Sequence, residues 1–597
     1  MKVVTGAEAL TEVLGRWRYS TVFAYPGTSE LELCAAIAGR DAMRLVNARG
    51  DKEAAFMAAG GNLLGRATCA AVLHGARGLT NALGAVADVR RSEVPLLCLV
   101  GMPSRSSARY LPPHAEPGLI KHAGTFARAA VDCSTMAALD PRAYLTLVGE
   151  ALSALDQTPP GPVLLGLPHD VLVSRFVPLE LVAEMTPPVP PRGEPAVSEA
   201  LVLIEASERP VILVDDYLLR SPTAEYDLAS FATRLGAPVM QVAYRRGPMF
   251  FEQLRASAVP TYRGHYDPED AHQRGLLDSA DLLITIEDRN MYPRVVGRLP
   301  SCRKVAITSN GSGTVKNGYL RLSDVLVVGN ACDILIKLTQ RLARPARQSP
   351  RGPALTGVGT EHTRGSQRRL SDPDQHNASA DELARAIARG LHAVPSPVVV
   401  DDGQMFGGLL ARNYHHLPAS VRVFASHGGF VGGGLATAVG LATAHSEVAV
   451  VATLGDQGFT NGVQALAAAR EQQVPLLVLV CNNGASVSLA TQATADGVNE
   501  AMRSALGNVP GMGYATIASG FGTSASTYVW PDTRSEQDAM AASRRLTADI
   551  TKALTTGGTY VLELITPDSP RFWAGVWRVD GFEEPPGTPP KSAGPGG

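Results

Sequence analysis

Asp456 and Asn483 are the residues whose types and spacing point most directly to chemistry. They stand 27 positions apart in the stretch 448–485, VAVVATLGDQGFTNGVQALAAAREQQVPLLVLVCNNGA. A carboxylate and an amide carbonyl are oxygen donors of the kind a hard divalent cation takes. Mg²⁺ in particular prefers one or two carboxylates, with phosphate oxygens and water completing its shell. Gly455 and Gly458 flank the acid and allow backbone to approach a phosphate, and the helix that follows offers its N-terminal amides to the same anion. The pattern therefore suggests a cation held beside a phosphate. Taken singly, its pieces also read as an Asp cap on a helix and an Asn-Asn-Gly turn.

The elements that must position these residues are legible around them. Residues 448–454 are apolar and β-branched enough for a buried strand. Residues 461–472 have helical periodicity, and 474–480 form a second buried strand that stops at Asn482-Asn483. This is a βαβ unit with the acid after one strand and the amide pair after the next. Both would face the crevice beyond the carboxyl ends of an open sheet, where ligands of such folds sit.

The chain has 597 residues, room for about two to four domains. Hydrophobic residues make up 45% and charged residues 18%, a balance suited to an α/β enzyme. Lys plus Arg (54) nearly cancels Asp plus Glu (56), which argues against nucleic acid as partner or substrate. Seven scattered cysteines form no CxxC and mostly lie in apolar runs, so they read as reduced packing residues of a cytoplasmic protein. The N-terminus lacks a long apolar core with a cleavage pattern, and no apolar run reaches the length of a membrane span.

Strand and helix signals alternate through three segments. The fold class expected is α/β, with three doubly wound parallel-sheet domains at 1–185, 196–345 and 379–582. A Pro-rich linker near 187–195, a polar linker at 346–378 and a disordered tail at 583–597 complete the chain. In the middle segment strands are expected at 210–214, 238–242, 282–286 and 304–307. A repeat ties the outer segments together. A shift of 380 lays 75–100 on 455–480 without a gap and matches 13 of 26 positions, including GxxGxTN and VPLL. The first and third segments thus share a duplicated fold. Asp456 falls on Ala76 and Asn483 on Pro103, so the cation site exists in one copy only.

This organisation resembles the thiamine-diphosphate enzymes of the acetolactate synthase and 2-oxo acid decarboxylase family, whose pattern is Gly-Asp-x-Gly, a helix and a strand, then Asn-Asn. The resemblance covers nearly the whole chain except the linkers and the tail. It implies a pyrimidine-binding first domain, a central domain and a diphosphate-binding third domain. Thiamine diphosphate would lie between the outer domains at an interface between copies of the chain, in a homodimer or a dimer of dimers. It implies that Asp456, Asn483 and the backbone carbonyl of Ala485 ligate Mg²⁺, with Gly455, Gln457 and Gly458 at the diphosphate. Gly403-Gln404-Met405 matches the family's diphosphate-binding turn. The stretch 428–444, GGFVGGGLATAVGLATA, matches its Gly-rich segment. That places Gly429 at the cofactor and Val431 as the apolar prop that bends it, so that its 4′-amino group meets the thiazolium C2. Tyr25-Pro26-Gly27-Thr28 resembles the loop that faces the reactive end.

One position departs from the family. Its members normally carry a glutamate, in an Arg-His-Glu…Met-Ala-x-Gly pattern, that hydrogen-bonds the pyrimidine N1′ and activates C2. Arg49, Met57, Ala58, Gly60 and Asn81 hold one ungapped register, and it puts Asp51 at the glutamate position. Aspartate is shorter by roughly one C–C bond, ~1.5 Å, and a misplacement of about 1 Å can cost on the order of a hundredfold. Three readings follow. Asp51 serves from a closer backbone, Glu53 reaches in after a local register change, or the activating acid is lost. Asp51 also reads as a cap of the helix starting near Lys52. His114, in the loop LPPHAEPGLIKHAGTF, is the candidate substrate-facing residue, and it reads too as a solvated loop histidine. His74 and His427 are further candidates for facing the thiazolium.

The activity the resemblance implies is Mg²⁺-dependent carboligation from a 2-oxo acid. Its alternatives are a non-ligating decarboxylase or C–C lyase, and a cofactor-binding protein whose turnover is impaired at Asp51. The middle segment shows no convincing glycine-rich nucleotide loop, so FAD is not expected. The partners expected are a small 2-oxo acid and further copies of the chain, with neither nucleic acid nor membrane.

Overall fold

The computed structural model describes residues 2–186, 197–343 and 378–577, except 66, 243–246, 496, 499–506, 510, 534 and 570. The Pro-rich linker, the polar linker up to 377 and the tail lie outside the described residues.

Three six-stranded sheets dominate the structure, and each is parallel throughout. In the first sheet the strands lie in the order Arg44–Asn47, Thr21–Ala24, Cys69–His74, Leu96–Met102, Pro162–Pro168, Ala129–Asp132. In the third they run Arg422–Ala425, Val398–Asp402, Val450–Gly455, Leu476–Asn482, Thr559–Ile565, Ser524–Val529. The sequence-to-space order of the two is the same, as the 380-residue repeat requires. The central strands are buried over almost their whole length, for example Leu96–Met102 and Leu476–Asn482. Continuous apolar runs of this kind fit sheets covered by helices on both faces.

The middle sheet follows the order Tyr262–Tyr266, Val239–Val242, Pro210–Val214, Leu282–Ile286, Arg303–Thr308, Val325–Val328. Two of these strands escape sequence reasoning. Tyr262–Tyr266 reads YRGHY, with polar residues and a glycine, and Val325–Val328 has only four residues. Both are edge strands, and in Tyr262–Tyr266 the exposed edge accommodates residues that weaken the apolar signal. The crevice at the switch point of this sheet is stitched shut. Asp215, after Pro210–Val214, accepts hydrogen bonds from Asn290 N (2.8 Å) and Nδ2 (3.2 Å), after Leu282–Ile286. Next to it, Arg289 reaches out of the middle unit and pairs with Glu93 of the first unit through two bonds of 2.9 and 2.7 Å.

The first and third units share one apolar core. Phe56 and Met57, on the helix Asp51–Gly61, pack with Leu435 and Val439, on the helix Gly434–Ala444. These helices cross at glycines. A methyl on Gly60 would lie 2.0 Å from the Thr437 carbonyl oxygen, and one on Gly440 would lie 1.9 Å from that of Met57. The two backbones therefore touch directly.

Candidate active site

A cavity of about 160 Å³ opens at the carboxyl ends of the third sheet. The strand Val398–Asp402 delivers Gly403, Gln404 and Met405 to its wall. The strand Val450–Gly455 delivers Gly455, Asp456, Gln457 and Gly458, and the strand Leu476–Asn482 delivers Asn483 and Ala485. Val431 closes one side, 37% exposed. Gln404 sits at φ 50°, a left-handed conformation uncommon outside glycine, at the start of the helix Met405–Arg412. The sequence-based expectations of a cation and a diphosphate thus converge on one space.

Two expectations need correcting. Gly429 does not border the cavity. Its φ of 77° makes it a turn residue of the Gly-rich loop. The helix expected at 461–472 is two helices, Asp456–Gly462 and Ala465–Gln472, and the first gives no signal because GFTNG carries no apolar periodicity of its own.

Asp456 is 5% exposed and makes no ion pair among the described residues. Its Oδ1 accepts from Gln457 N (2.7 Å) and its Oδ2 from the Asn508 amide. Burial pushes its carboxyl up to about 6, against hydrogen bonds that act in the opposite sense. The cavity wall carries one buried carboxylate, Asp456, together with Asn483 and Ala485, donor types that suit a divalent ion. Asn483 Oδ1 accepts only a 3.3 Å bond from Ala485 N, and the Ala485 carbonyl accepts from Val487 N at 3.0 Å. Asn508 had no sequence signal. It is brought over by a bridge between Ala485 and Gly507 and by its own N–H to the Gly484 carbonyl. Its side-chain oxygen also accepts from Gln457 Nε2 at 3.1 Å. No group of three His, Cys, Asp or Glu that could hold a metal occurs among the described residues. The donor set here is instead one carboxylate with amide and carbonyl oxygens.

A second cluster forms at the equivalent ends of the first sheet. Asp51 is the first residue of its helix. Gly50 is the cap, so the reading of Asp51 as a cap is corrected. The carboxylate instead accepts from His74 N at 3.0 Å and lies against Gly78. Burial raises its pKa above the ordinary value. The His74 ring lies 3.0 Å from the fully buried Glu30 and packs on the His114 ring, centroids 4.1 Å apart. His114 is therefore half-buried rather than solvated. Gly27 is pressed against His74, where a methyl would lie 2.1 Å from Nδ1, and Pro26 beside it is exposed. Asn81 accepts from Lys52 N at 3.2 Å and so braces the start of the Asp51 helix.

Glu53 points elsewhere. Its carboxylate is fully buried beside Gly50, with Gln464 against the same glycine and Lys52 Nζ 3.1 Å from it, and neither oxygen accepts a well-aligned hydrogen bond. Asp51 and Glu53 thus face different surroundings. His427 is also removed from both clusters. It is stacked on Phe251 and bonded to Asp216 of the middle unit at 2.7 Å. Glu30, which no motif signalled, completes the first cluster. None of Pro26, Gly27, Asp51, Asn81 and His114 borders the third-sheet cavity.

Two clusters thus stand at equivalent strand ends of two parallel sheets that share one strand order. Family comparisons agree. Residues 4–125 match the thiamine pyrophosphate enzyme N-terminal TPP-binding domain, and residues 406–564 match the C-terminal TPP-binding domain. Among curated proteins, the acetolactate synthase large subunit of Parasynechococcus marenigrum is 26% identical over 81% of this chain and 76% of its own length. A probable 2-ketoarginine decarboxylase of Pseudomonas aeruginosa is 26% identical over 81% of this chain and 83% of its own. Among solved structures, the thiamine diphosphate-dependent 4-hydroxybenzoylformate decarboxylase of Rhodococcus jostii shares the fold. It has a TM-score of 0.72 at 20% identity, covering 95% of this chain and 100% of that one. The chain belongs to the thiamine-diphosphate-dependent enzymes, in the acetolactate synthase and 2-oxo acid decarboxylase family. No described helix is long and apolar enough to cross a membrane.

Proposed function

We propose that this enzyme decarboxylates a 2-oxo acid and ligates the remaining acyl unit to an acceptor. One active site would combine the cation cavity of one copy with the Asp51 cluster of a second copy. The observation that carries this reading is the division of labour. The cavity is walled by third-unit residues alone, while the carboxylate and imidazoles lie on the matching sheet ends of the first unit.

In this reading Asp456, Asn483 and the Ala485 carbonyl hold Mg²⁺. The backbone around Gly403–Met405 and Gly455–Gly458 holds the diphosphate, and Val431 bends the cofactor. When bound, thiamine diphosphate supplies a nucleophilic C2 and an electron sink for loss of CO₂. Asp51, its proton affinity raised by burial, holds a proton at the pyrimidine N1′. Asp51→Ala is expected to slow exchange of the bound cofactor's C2 proton in deuterated water on the order of a hundredfold. Asp51→Glu should keep or raise that rate. Unchanged exchange in Asp51→Ala would remove Asp51 from the role and favour a protein that binds the cofactor without fast turnover. The seven unpaired cysteines support a cytoplasmic placement.

A second reading, release of a free aldehyde, is favoured by the close pair His74 and His114, whose rings are tilted 59° to each other. Imidazole is the side chain best suited to carry a proton to a product near neutral pH, and two lie together at this end of the first sheet. A panel of 2-oxo acids, each with and without an aldehyde acceptor, separates the two. A ligated hydroxyketone supports the first reading, and free aldehyde alone in both arms overturns it.

A further inference from the structure

The loop that presents Val431 is gripped from both sides by buried carboxylates of two different units. On one side is Asp402, at the end of the strand Val398–Asp402. Its Oδ2 accepts from Gly432 N at 2.7 Å and Gly434 N at 3.2 Å. On the other side is Asp88, on the first-unit helix Gly75–Arg91. Its Oδ1 accepts from the Ser426 hydroxyl at 2.5 Å and from Phe430 N at 3.2 Å. Ser426 Oγ also accepts from Gly429 N at 2.8 Å, and a methyl on Gly428 would lie 2.2 Å from Asp88 Oδ1. Asn461 Nδ2 donates to the Val431 carbonyl at 2.6 Å.

Gly429 and Gly432, at φ 77° and 100°, leave this loop little stiffness of its own. Its shape is therefore set by what holds its N–H groups. Burial raises the pKa of both acids, so each is costly to keep where an apolar residue would pack more cheaply. Asp88 touches neither the cation cavity nor the Asp51 cluster in any contact described above. What it does hold is the peptide next to Val431.

We propose that Asp88 is a positioning residue, reaching from the first unit to fix where Val431 stands, with Asp402 fixing the other flank of the same loop. The inference rests on the role given to Val431 above. In the full chain loaded with thiamine diphosphate and Mg²⁺, Asp88→Ala is expected to slow C2 proton exchange on the order of tenfold or more, with cofactor affinity unchanged. Asp88→Asn keeps an acceptor oxygen and should restore most of the rate. Ser426→Ala removes the bridging hydroxyl and gives a gentler test of the same sign. In a Val431→Ala background, Asp88→Ala should add nothing further. A wild-type exchange rate in both Asp88→Ala and Ser426→Ala overturns the proposal. So does an equal loss with and without Val431, which would mark a purely structural acid. If Val431→Ala alone exchanges at the wild-type rate, the role of Val431 itself fails, and the positioning role with it.

Discussion

Asp456→Ala is expected to abolish Mg²⁺-dependent binding of thiamine diphosphate and, at the same time, to leave the cofactor-free chain at least as stable as the wild type. The two effects have one cause. Asp456 is buried without a cation, and burial pushes its carboxyl from the ordinary 3.8 to about 6. The folded state therefore binds the proton more tightly than the unfolded state does between those values. Above about pH 6 the ionised carboxylate is a cost to folding, of up to about 3 kcal/mol at ~1.4 kcal/mol per unit. That cost fades as pH falls through 6. A divalent cation removes it by pairing, and alanine removes it by deletion. Proton and cation compete for the same oxygen, so metal-dependent cofactor retention should weaken about tenfold per pH unit below 6. Calorimetric titration at several pH values, with thermal unfolding in the presence and absence of cofactor and Mg²⁺, checks both halves. The wild type should gain stability from the ligands, and the variant should gain none. Retained Mg²⁺-dependent binding in the variant would remove Asp456 from the metal site.

The Asp456 half of the site was legible because its parts are local. A strand, an acid, a helix and a strand are read by periodicity, and a parallel sheet puts both strand ends into one crevice. The duplication was legible for the same reason, as a fixed offset between two stretches of chain. What could not be read were contacts made across units or long loops. Asn508 approaches Asp456 from 52 residues away without a motif. Glu30 and His74 meet across the first sheet's loops, and their pairing depends on the close approach of Gly27. The pair Asp51 and Glu53 shows the limit well. Two carboxylates two residues apart in a helix point in different directions, and only packing tells which one meets His74 and which is buried beside Gly50.

Gly440→Ala should cause a large loss of stability for so small a substitution. The added methyl would lie 1.9 Å from the Met57 carbonyl oxygen and 2.4 Å from its Cα. Both are backbone atoms, so no side chain can turn aside to make room. The helices Asp51–Gly61 and Gly434–Ala444 would have to separate, and the core shared by the outer units would open along their contact. Overpacking costs about 1–3 kcal/mol where side chains can adjust, and this site belongs at the top of that range or above it. Helix propensity works the other way, since alanine is preferred to glycine by about 1 kcal/mol. A net loss would therefore be a clear sign of the clash. Gly275→Ala, in the helix Ala271–Asp278 where the methyl meets open space, is the matched control and should leave the unfolding midpoint unchanged or raised. A midpoint for Gly440→Ala equal to that control would mean that the crossing is looser than described.

Arg289 gives the middle unit a meaning for anyone trimming this enzyme. Its guanidinium and the Glu93 carboxylate are each about one-tenth exposed and pair across the boundary between units. His427 of the third unit is buried against Asp216 and Phe251 in the same way. Joining the outer units directly would remove Arg289, Asp216 and Phe251 together, and Glu93 and His427 would lose their partners and turn to water. The middle unit is thus tied to both outer units by polar contacts, and a shortened chain would give up the ties that Arg289 and Asp216 make to Glu93 and His427.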